Sequence, residues 1–278
     1  MNKQEFFKHY PVRKIDSNKF DNGRILLISG SYGMAGAAIL NIKGARSVGT
    51  SYIRSLVPEN IYPIVSTNEI TTVYDPDNLK NNNFLFDLNI LDKVDAIGIG
   101  SGLNNHPFHL DYLKTVLTNS NVPIVIDACS LDDLANNEEL YKLNNKMILT
   151  PHLGEFSRLT HLTIQEILNN KENIASNFAK NNNVTLVLKG NKSLIVSNTG
   201  VITINESGNE ALARAGSGDI LTGMITGLCS LYDNYLTAVK DGVWLHGYLC
   251  DETIKEHSKE IFDLSKYPEY ADSFFFNH

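Results

Sequence analysis

The sequence has little cysteine, no long apolar segment and no cluster of basic residues. Its three cysteines, Cys129, Cys229 and Cys250, are widely spaced, so they match neither a paired zinc-binding spacing nor an even-numbered disulfide framework. Each is expected to be a buried thiol in a reducing compartment. The first residues lack the apolar run of a signal peptide, and no apolar stretch approaches the roughly 18 residues of a membrane span. These absences predict a cytoplasmic protein that does not contact the membrane.

The charge balance points to a small-molecule partner. The chain of 278 residues carries 24 lysines and arginines against 31 aspartates and glutamates, a net charge of -7, which gives no support for nucleic-acid binding. Hydrophobic residues make up 42% of the sequence, enough for a substantial core. We therefore expect a single domain over residues 1–278 that binds small molecules.

Apolar runs alternate with helix-length segments, which is typical of a parallel sheet covered by helices. The sequence predicts strands at residues 24–29, 61–65, 96–99, 123–127 and 147–149, and helices at residues 34–48, 110–118, 164–180 and after Asp219. Three short apolar runs separated by two polar turns between residues 184 and 204 predict an antiparallel meander. The expected fold class is α/β, with a mostly parallel central sheet flanked by helices and a small antiparallel edge meander.

The most informative segment is residues 209–227, which read NEALARAGSGDILTGMITG. Apolar residues at helical spacing follow Asp219, so the preceding residues 216–218 are expected to form the turn at a helix N-terminus. Free backbone N–H groups and the helix dipole favour a bound phosphate at such a turn. Asp219 could accept a proton from a hydroxyl as phosphate arrives, or help to hold magnesium. Alternatively, it could simply cap the helix.

Three further turns directly follow predicted strands, the positions where open α/β sheets bind ligands. The glycine turn at residues 100–102 would bring backbone N–H groups close to a ligand. His152 follows another strand in the segment TPHLGE, and Lys189 and Lys192 surround a glycine turn suited to phosphate. Each has an ordinary structural explanation: a plain turn, a helix cap and two solvated lysines. Their occurrence at one edge of one sheet favours a functional site.

With these residues in view, the chain resembles the nucleotide-dependent NAD(P)H-hydrate dehydratases, a repair-enzyme family within the ribokinase-like superfamily. The matching segments are GSYGMAGAAILNIKGARSVG, AIGIGSGL, PIVIDACSL, ILTPHLGEFSRL, TLVLKGNKSLIVS, ARAGSGDILTGMITGL and DGVWLHGYLCD. The last two alone would indicate only a ribokinase-like kinase, whereas PHLGE and MAGAA are similar to the dehydratase branch. The chain departs from the family at residues 100–103, where a GPGL-type turn is usual, and at NEALARA, where small residues and proline are usual.

The resemblance implies dehydration of hydrated NADH or NADPH (NADHX or NADPHX) through phosphorylation of the substrate hydroxyl and elimination of phosphate. It implies Asp219 as the general base, with an anion hole formed by the backbone amides of Gly216, Ser217 and Gly218. The hydrated dinucleotide would contact Ala37, Gly102, His152 and Asp219. The nucleotide would bind at Lys189, Gly190, Asn191, Lys192, Ser193 and Gly218. Magnesium (Mg2+) is expected with the nucleotide, and its protein ligands are not assigned.

The resemblance also implies ADP or ATP as the co-substrate. Without a preceding epimerase domain, the chain is similar to the ADP-using members, so ADP is expected. A homo-oligomer, such as a tetramer, is expected as well. Two alternatives stay open: a ribokinase-like kinase that releases the phosphate ester of a vitamin or sugar, and a non-catalytic nucleotide-binding regulator. An intact Asp219 argues against the regulator.

Overall fold

The computed structural model describes residues 1–77 and 84–276, and the nine strands within these ranges form one sheet. The strands are β1 (Arg24–Ile28), β2 (Tyr52–Pro58), β3 (Val73–Asp77), β4 (Ala96–Ile99), β5 (Ile124–Ile126), β6 (Met147–Leu149), β7 (Thr185–Leu188), β8 (Leu194–Val196) and β9 (Ile202–Ile204). Their order is β3-β2-β1-β4-β5-β6-β7-β8-β9. Neighbours from β3 to β7 pair in parallel, and β8 and β9 continue the sheet antiparallel. The predicted sheet and its edge meander are confirmed.

Helices cover both faces of the sheet. They are α1 (Lys3–His9), α2 (Ala35–Arg46), α3 (Tyr62–Asn68), α4 (His109–Asn119), α5 (Cys129–Asn136), α6 (Leu153–Thr160), α7 (Ile164–Asn169), α8 (Lys171–Asn181), α9 (Ser217–Leu231), α10 (Tyr235–Thr253) and α11 (Tyr267–Phe276). Short 3-10 turns occur at Leu88–Ile90, Glu138–Lys142, Glu210–Leu212, Lys259–Ile261 and Leu264–Lys266. No helix in the described ranges is long and apolar enough to cross a membrane.

Side chains of the central strands alternate between two hydrophobic cores. Along β1, Ile25 and Leu27 join the core that includes residues of α1, α2, α3, α9, α10 and α11. Leu26 and Ile28 point to the core on the other face, which includes residues of α4 to α8. Because both faces are covered, the parallel strands read as continuous apolar runs.

Helices α2 and α9 pack with their backbones almost in contact. A Cβ atom built on Gly44 would lie 2.2 Å from the carbonyl oxygen of Ile220, and one on Gly223 would lie 2.0 Å from that of Asn41. Only glycine allows this approach. The packing fixes the N-terminal turn of α9 beside α2 and beside the carboxyl ends of the strands.

Two sequence predictions are wrong. The predicted strand at residues 61–65 is instead the beginning of α3, where Ile61 and Val65 are buried one helical turn apart while Ile64 is 52% exposed. The strand that pairs with β1 lies upstream, at β2. The predicted single helix at residues 164–180 is two helices, since Asn170 ends α7 and precedes α8. The three cysteines are free and buried, as expected.

Candidate active site

The site lies where the order of the sheet reverses. β1 is between β2 and β4, so the connections after β1 and β4 leave in opposite directions and open a crevice at the strand ends. The turns that follow these strands are bonded together: the Gly30 N–H donates to the Ser101 carbonyl at 2.8 Å, and the Ser31 hydroxyl donates to the Gly102 carbonyl at 2.6 Å. The crevice therefore has a fixed floor.

Ala37 and Gly102 pack against each other beside this crevice. A Cβ atom on Gly102 would lie 2.6 Å from the Cβ atom of Ala37, and Gly102 adopts a φ of +69°, which favours glycine. The close packing therefore requires a small residue at each of these two positions. The structure brings together the two residues that the sequence assigns to the same ligand, while their role in binding stays a prediction.

Asp127 is the centre of the polar network at the strand ends, and its side chain is 3% exposed. It directly follows β5 and accepts hydrogen bonds from Ser101 Oγ at 3.2 Å, Thr150 Oγ1 at 2.8 Å and Lys189 Nζ at 2.9 Å. These donors follow three other strands. The sequence analysis assigned Asp127 no role, although an acidic residue immediately after a buried strand was the signal that could have identified it.

Lys189 connects Asp127 to the N-terminal turn of α9. Its Nζ lies 3.9 Å from Glu155 Oε2, and a Cβ atom built on Gly218 would lie 3.2 Å from Nζ. Burial on its own lowers the pKa of Lys189, but Asp127, Glu155 and Asp219 together outweigh it and raise the pKa. The ammonium group is therefore charged at neutral pH, at the turn where the sequence predicts a phosphate.

Gly216 is the N-cap of α9, with a φ of +96°, so the cap has no side chain that could satisfy the first N–H groups. Asp219 lies inside the first turn, two residues after Ser217 begins the helix. The interpretation of Asp219 as the N-cap is therefore wrong. The Ser217 N–H donates to the Arg214 carbonyl at 3.3 Å, a long hydrogen bond, so the neighbouring Gly218 N–H is the better placed of the two to bind an anion.

The carboxyl group of Asp219 is poised to exchange a proton near neutral pH. Burial, and then the nearby charge of Asp127, raise its pKa from 3.8 to about 7, against the opposing effects of Lys189 and a hydrogen bond from Ser101. A general base works best with a pKa near the working pH. Asp219 has this property before any ligand is bound.

A cavity of about 750 Å³ begins at this turn. Its lining contains all six residues that the sequence assigns to the nucleotide: Lys189, Gly190, Asn191, Lys192, Ser193 and Gly218. Ser217, Val243, His246 and Gly247 form a further part of the wall. The volume is within the range of small-molecule sites. The structure thus brings the two predicted phosphate-binding turns to one cavity.

His152 caps α6, as its structural explanation predicted. Its Nδ1 accepts hydrogen bonds from the backbone N–H groups of Gly154 at 3.0 Å and Glu155 at 3.1 Å. Because Nδ1 is an acceptor, the neutral ring carries its proton on Nε2. The side chain is 57% exposed and lines the same cavity as the six residues assigned to the nucleotide, whereas Ala37 and Gly102 are not in that lining. His152 can therefore cap the helix and donate a hydrogen bond to a ligand.

Two residues that the sequence analysis missed complete the wall. Burial lowers the pKa of His246 to about 4, so its ring is neutral, and its Nε2 lies 3.5 Å from Ser217 Oγ. Arg214 donates to the carbonyl groups of Ala211, Lys259 and Phe262, which attaches a distant segment to the cavity wall. Nothing local in the sequence indicates these long-range partners.

Comparison with known proteins adds to this geometry. The sequence model of the NAD(P)H-hydrate dehydratase family matches residues 25–267. The chain is 33% identical over 248 residues to the ADP-dependent (S)-NAD(P)H-hydrate dehydratase of Bacillus subtilis, covering 89% of this chain and 87% of that protein. It is 33% identical over 256 residues to the bifunctional NAD(P)H-hydrate repair enzyme of Moorella thermoacetica, covering 90% of this chain and 48% of the relative. The chain thus spans about half the length of the bifunctional relatives.

Solved structures show the same fold. The ADP/ATP-dependent NAD(P)H-hydrate dehydratase of B. subtilis, co-crystallised with ATP and Mg2+, superposes with a TM-score of 0.85 at 28% identity, over 99% of this chain and 97% of that one. A ribokinase-like superfamily protein of Enterococcus faecalis superposes with a TM-score of 0.86 at 22% identity, over 100% and 95% of the two chains. The sheet is therefore the ribokinase-like sheet that the sequence predicts.

Proposed function

The chain belongs to the NAD(P)H-hydrate dehydratase family, and on that premise we propose that it converts NADHX and NADPHX back to NADH and NADPH with ADP or ATP as the phosphoryl donor. One observation carries the proposal for this chain. Asp219, whose pKa is raised to about 7, lies near Lys189 in the first turn of α9, and its neighbours Ser217 and Gly218 in that turn line the 750 Å³ cavity. We infer that residues 1–278 act as one domain, since the described strands belong to one sheet.

The chemistry begins at the substrate hydroxyl, a poor leaving group next to the ring nitrogen. Asp219 accepts the hydroxyl proton while the oxygen attacks the terminal phosphorus of the nucleotide, which releases AMP from ADP or ADP from ATP. The phosphate ester then leaves as inorganic phosphate with the C–O electron pair, assisted by the nitrogen lone pair. Loss of a proton from the neighbouring carbon restores the double bond of the dihydronicotinamide.

The transferred phosphoryl group would lie at the N-terminus of α9. The amides of Gly216 and Gly218 form the anion hole together with that of Ser217, which would exchange its 3.3 Å bond to the Arg214 carbonyl for the phosphate. The Lys189 ammonium group adds a full positive charge next to Gly218. The rest of the nucleotide would extend into the cavity along Gly190, Asn191, Lys192 and Ser193. These groups stabilise negative charge where it develops.

The hydrated dinucleotide would occupy the crevice between the β1 and β4 turns. The small residues Ala37 and Gly102 keep side-chain bulk out of the crevice, and Nε2–H of His152, which lies 3.6 Å from Glu155 Oε1, can donate a hydrogen bond to the ligand. Asp219 then lies between the two ligands, as a base must to receive the hydroxyl proton. With this placement, the hydrated dinucleotide and the nucleotide phosphate would meet at the first turn of α9.

The residues present fit magnesium held mainly by nucleotide phosphates and water. Mg2+ prefers oxygen ligands and keeps several waters. Asp127 and Glu155 offer carboxylates beside Lys189, and both oxygens of Asp127 already accept hydrogen bonds from protein donors. We propose that these two carboxylates hold the hydrated ion through water. When bound, magnesium neutralises charge on the nucleotide phosphates.

A turnover assay tests the function and separates it from its alternatives. The protein is incubated with hydrated NADH and either ADP or ATP, and both the nicotinamide absorbance and inorganic phosphate are followed. Recovery of absorbance with an equal amount of phosphate is the expected result. Accumulation of a phosphate ester without recovery would identify a kinase, and binding of nucleotide without any turnover would identify a regulator. The preferred nucleotide is given by the larger kcat/KM, and we expect ADP.

We further propose a cytoplasmic homo-oligomer, such as a tetramer, with no nucleic-acid or membrane partner. The three buried free thiols suit a reducing compartment, and the net charge of -7 gives no attraction to nucleic acid. Light scattering after gel filtration measures the oligomeric state directly. A monomer at micromolar concentration would contradict this proposal.

A further inference from the structure

Three potential metal-binding side chains of different types meet where α4 and α5 begin, and none of them belongs to the residues proposed for dehydration. They are His109, the first residue of α4, and Cys129 and Asp133 on α5. One ligand atom from each side chain lies within 4.8 Å of the other two. The widely spaced cysteines gave no sign of this cluster in the sequence, because it forms only when two helices pack side by side.

The geometry of the two helices holds the cluster in place. Cys129 and Asp133 are four residues apart on α5, so their side chains lie on the same face of the helix. His109 reaches them from α4, with its Nδ1 2.9 Å from Asp133 Oδ2. Cys129 is 5% exposed and the side chain of Asp133 is 8% exposed, whereas His109 is 32% exposed and opens the cluster to solvent. The cluster thus has an entry path on one side.

The neighbouring charges favour a cation there. The buried Asp133 carboxylate and the nearby Asp132 carboxylate both place negative charge near the Cys129 thiol. Asp132 does not compete for the site, because its carboxylate accepts a hydrogen bond from Arg158 Nε at 2.5 Å.

We propose that His109, Cys129 and Asp133 form a binding site for a borderline-soft divalent cation of the zinc class, distinct from the magnesium that accompanies the nucleotide. An imidazole nitrogen, a thiolate and a carboxylate are the donors that Zn2+ takes, and magnesium does not favour the first two. Ligand atoms around tetrahedral zinc are about 3.3 to 3.8 Å apart, so side-chain shifts of about 1 Å suffice. Water takes the fourth position, and the thiol proton of Cys129 passes to solvent on binding.

The bound cation would attach α4 to α5 close to the catalytic edge of the sheet. The turn that carries Gly102 precedes α4, and Asp127 immediately precedes the turn into α5. A cation that binds only the folded state stabilises it. We therefore expect zinc to raise the melting temperature of the protein.

Cobalt is the spectroscopic probe for this site. The full chain, freed of any affinity tag, is titrated with Co2+ in the presence of excess Mg2+, and the thiolate-to-cobalt charge-transfer band is recorded in the near ultraviolet. Bound zinc is measured separately by elemental analysis after gel filtration. We expect a band that saturates at one cobalt per chain, and one zinc per chain, neither displaced by Mg2+.

Matched variants assign the ligands. Cys129→Ala should abolish the charge-transfer band, while Cys229→Ala, which removes another buried thiol, should keep it. Asp133→Asn, and His109→Gln at the half-exposed position, should weaken zinc binding by about 10-fold or more. Melting curves establish that each variant is folded. A titration without the band, or a band that survives in Cys129→Ala, would overturn the proposal, and neither result depends on dehydratase activity.

Discussion

The ammonium nitrogen of Lys189 lies 2.9 Å from Oδ1 of Asp127, 62 residues earlier in the chain. This pair joins the ends of β5 and β7 and places one cation between a buried carboxylate and the N-terminal turn of α9, where a phosphate is predicted to bind. The same positive charge therefore serves the fold and the proposed chemistry. When nucleotide binds, its phosphate would share Lys189 with Asp127.

Replacing Lys189 by methionine tests this double role. Lys189→Met leaves Asp127 buried without its charged partner, and breaking such a pair typically lowers the free energy of unfolding by about 3 to 5 kcal/mol. It should also raise the nucleotide KM more than it alters dinucleotide affinity, since the lysine lies at the nucleotide side. Chemical denaturation and steady-state kinetics measure the two effects.

Lys192 is the matched control, because it lies in the same turn but its side chain is 64% exposed. Lys192→Met should change the free energy of unfolding by less than about 0.5 kcal/mol. If both variants lost stability equally, the stabilising role of the Lys189–Asp127 pair would be wrong. Equal effects of Lys189→Met on the two ligands would remove its assignment to the nucleotide.

Asp219→Asn is expected to reduce turnover by about 100-fold to 10,000-fold, because it removes a base and preserves shape. Nucleotide binding, measured by calorimetry, should be largely unchanged. In the parent enzyme, kcat/KM should rise with pH and level off above about 7, the pKa of the free carboxyl group. A variant within a few-fold of the parent rate would exclude Asp219 as the general base.

The same pKa shift predicts a cost in stability. Asp219 has a pKa of about 7 in the folded chain against an ordinary value of 3.8, so between these pH values the folded state binds more protons than the unfolded state. The free energy of unfolding therefore falls as pH rises through this window. Asp219→Asn should melt at a higher temperature than the parent at pH 8, and the difference should shrink toward pH 4. An equal difference at both pH values would contradict the shift.

The close packing of α2 on α9 depends on glycine. Gly44→Ala would place a Cβ atom 2.2 Å from the Ile220 carbonyl oxygen, so the helices must separate, at a cost of about 3 kcal/mol. Gly36→Ala, in the same helix with no atom within 4 Å of the new Cβ, should leave stability unchanged or raise it by up to about 1 kcal/mol. Thermal unfolding compares the two. If Gly44→Ala were as stable as Gly36→Ala, the close contact between Gly44 and the Ile220 carbonyl would not limit the packing of the two helices.

The sequence predicted best where local signals agree with long-range packing. The strand before Gly30, the edge meander and the helix after Gly216 have apolar runs bounded by turn residues, and all three are confirmed. The segment at residues 61–65 failed because β-branched residues at helical spacing resemble a short strand when Pro63 interrupts the pattern. Local sequence alone could not distinguish a short strand from the beginning of a helix at this segment.

At the candidate site, too, local sequence predicted only part of the structure. Lys189 and Gly218 were predicted because each turn suits a phosphate on its own, and the fold brings them together. Asp127 was missed because its importance comes from three donors on other strands. Sequence patterns thus indicate which residues can bind a ligand. Burial and long-range pairing determine which other residues hold those ligand-binding residues in place.

His152 offers the sharpest separation of a structural role from a binding role, because its two ring nitrogens do different things. Nδ1 caps α6 by accepting from Gly154 and Glu155, whereas Nε2, 3.6 Å from Glu155 Oε1, takes no part in the cap. His152→Ala should lose both functions, lowering stability by about 1 kcal/mol through the lost cap and weakening dinucleotide binding by roughly 1 to 3 kcal/mol. His152→Asn should restore the cap, since asparagine is a good N-cap residue, but its shorter side chain does not reach as far as Nε2.

Melting curves and calorimetric titration with NADPH or its hydrate measure the two effects, and nucleotide affinity serves as the internal control. If His152→Asn regained stability yet both variants bound the dinucleotide like the parent, His152 would be a helix cap alone.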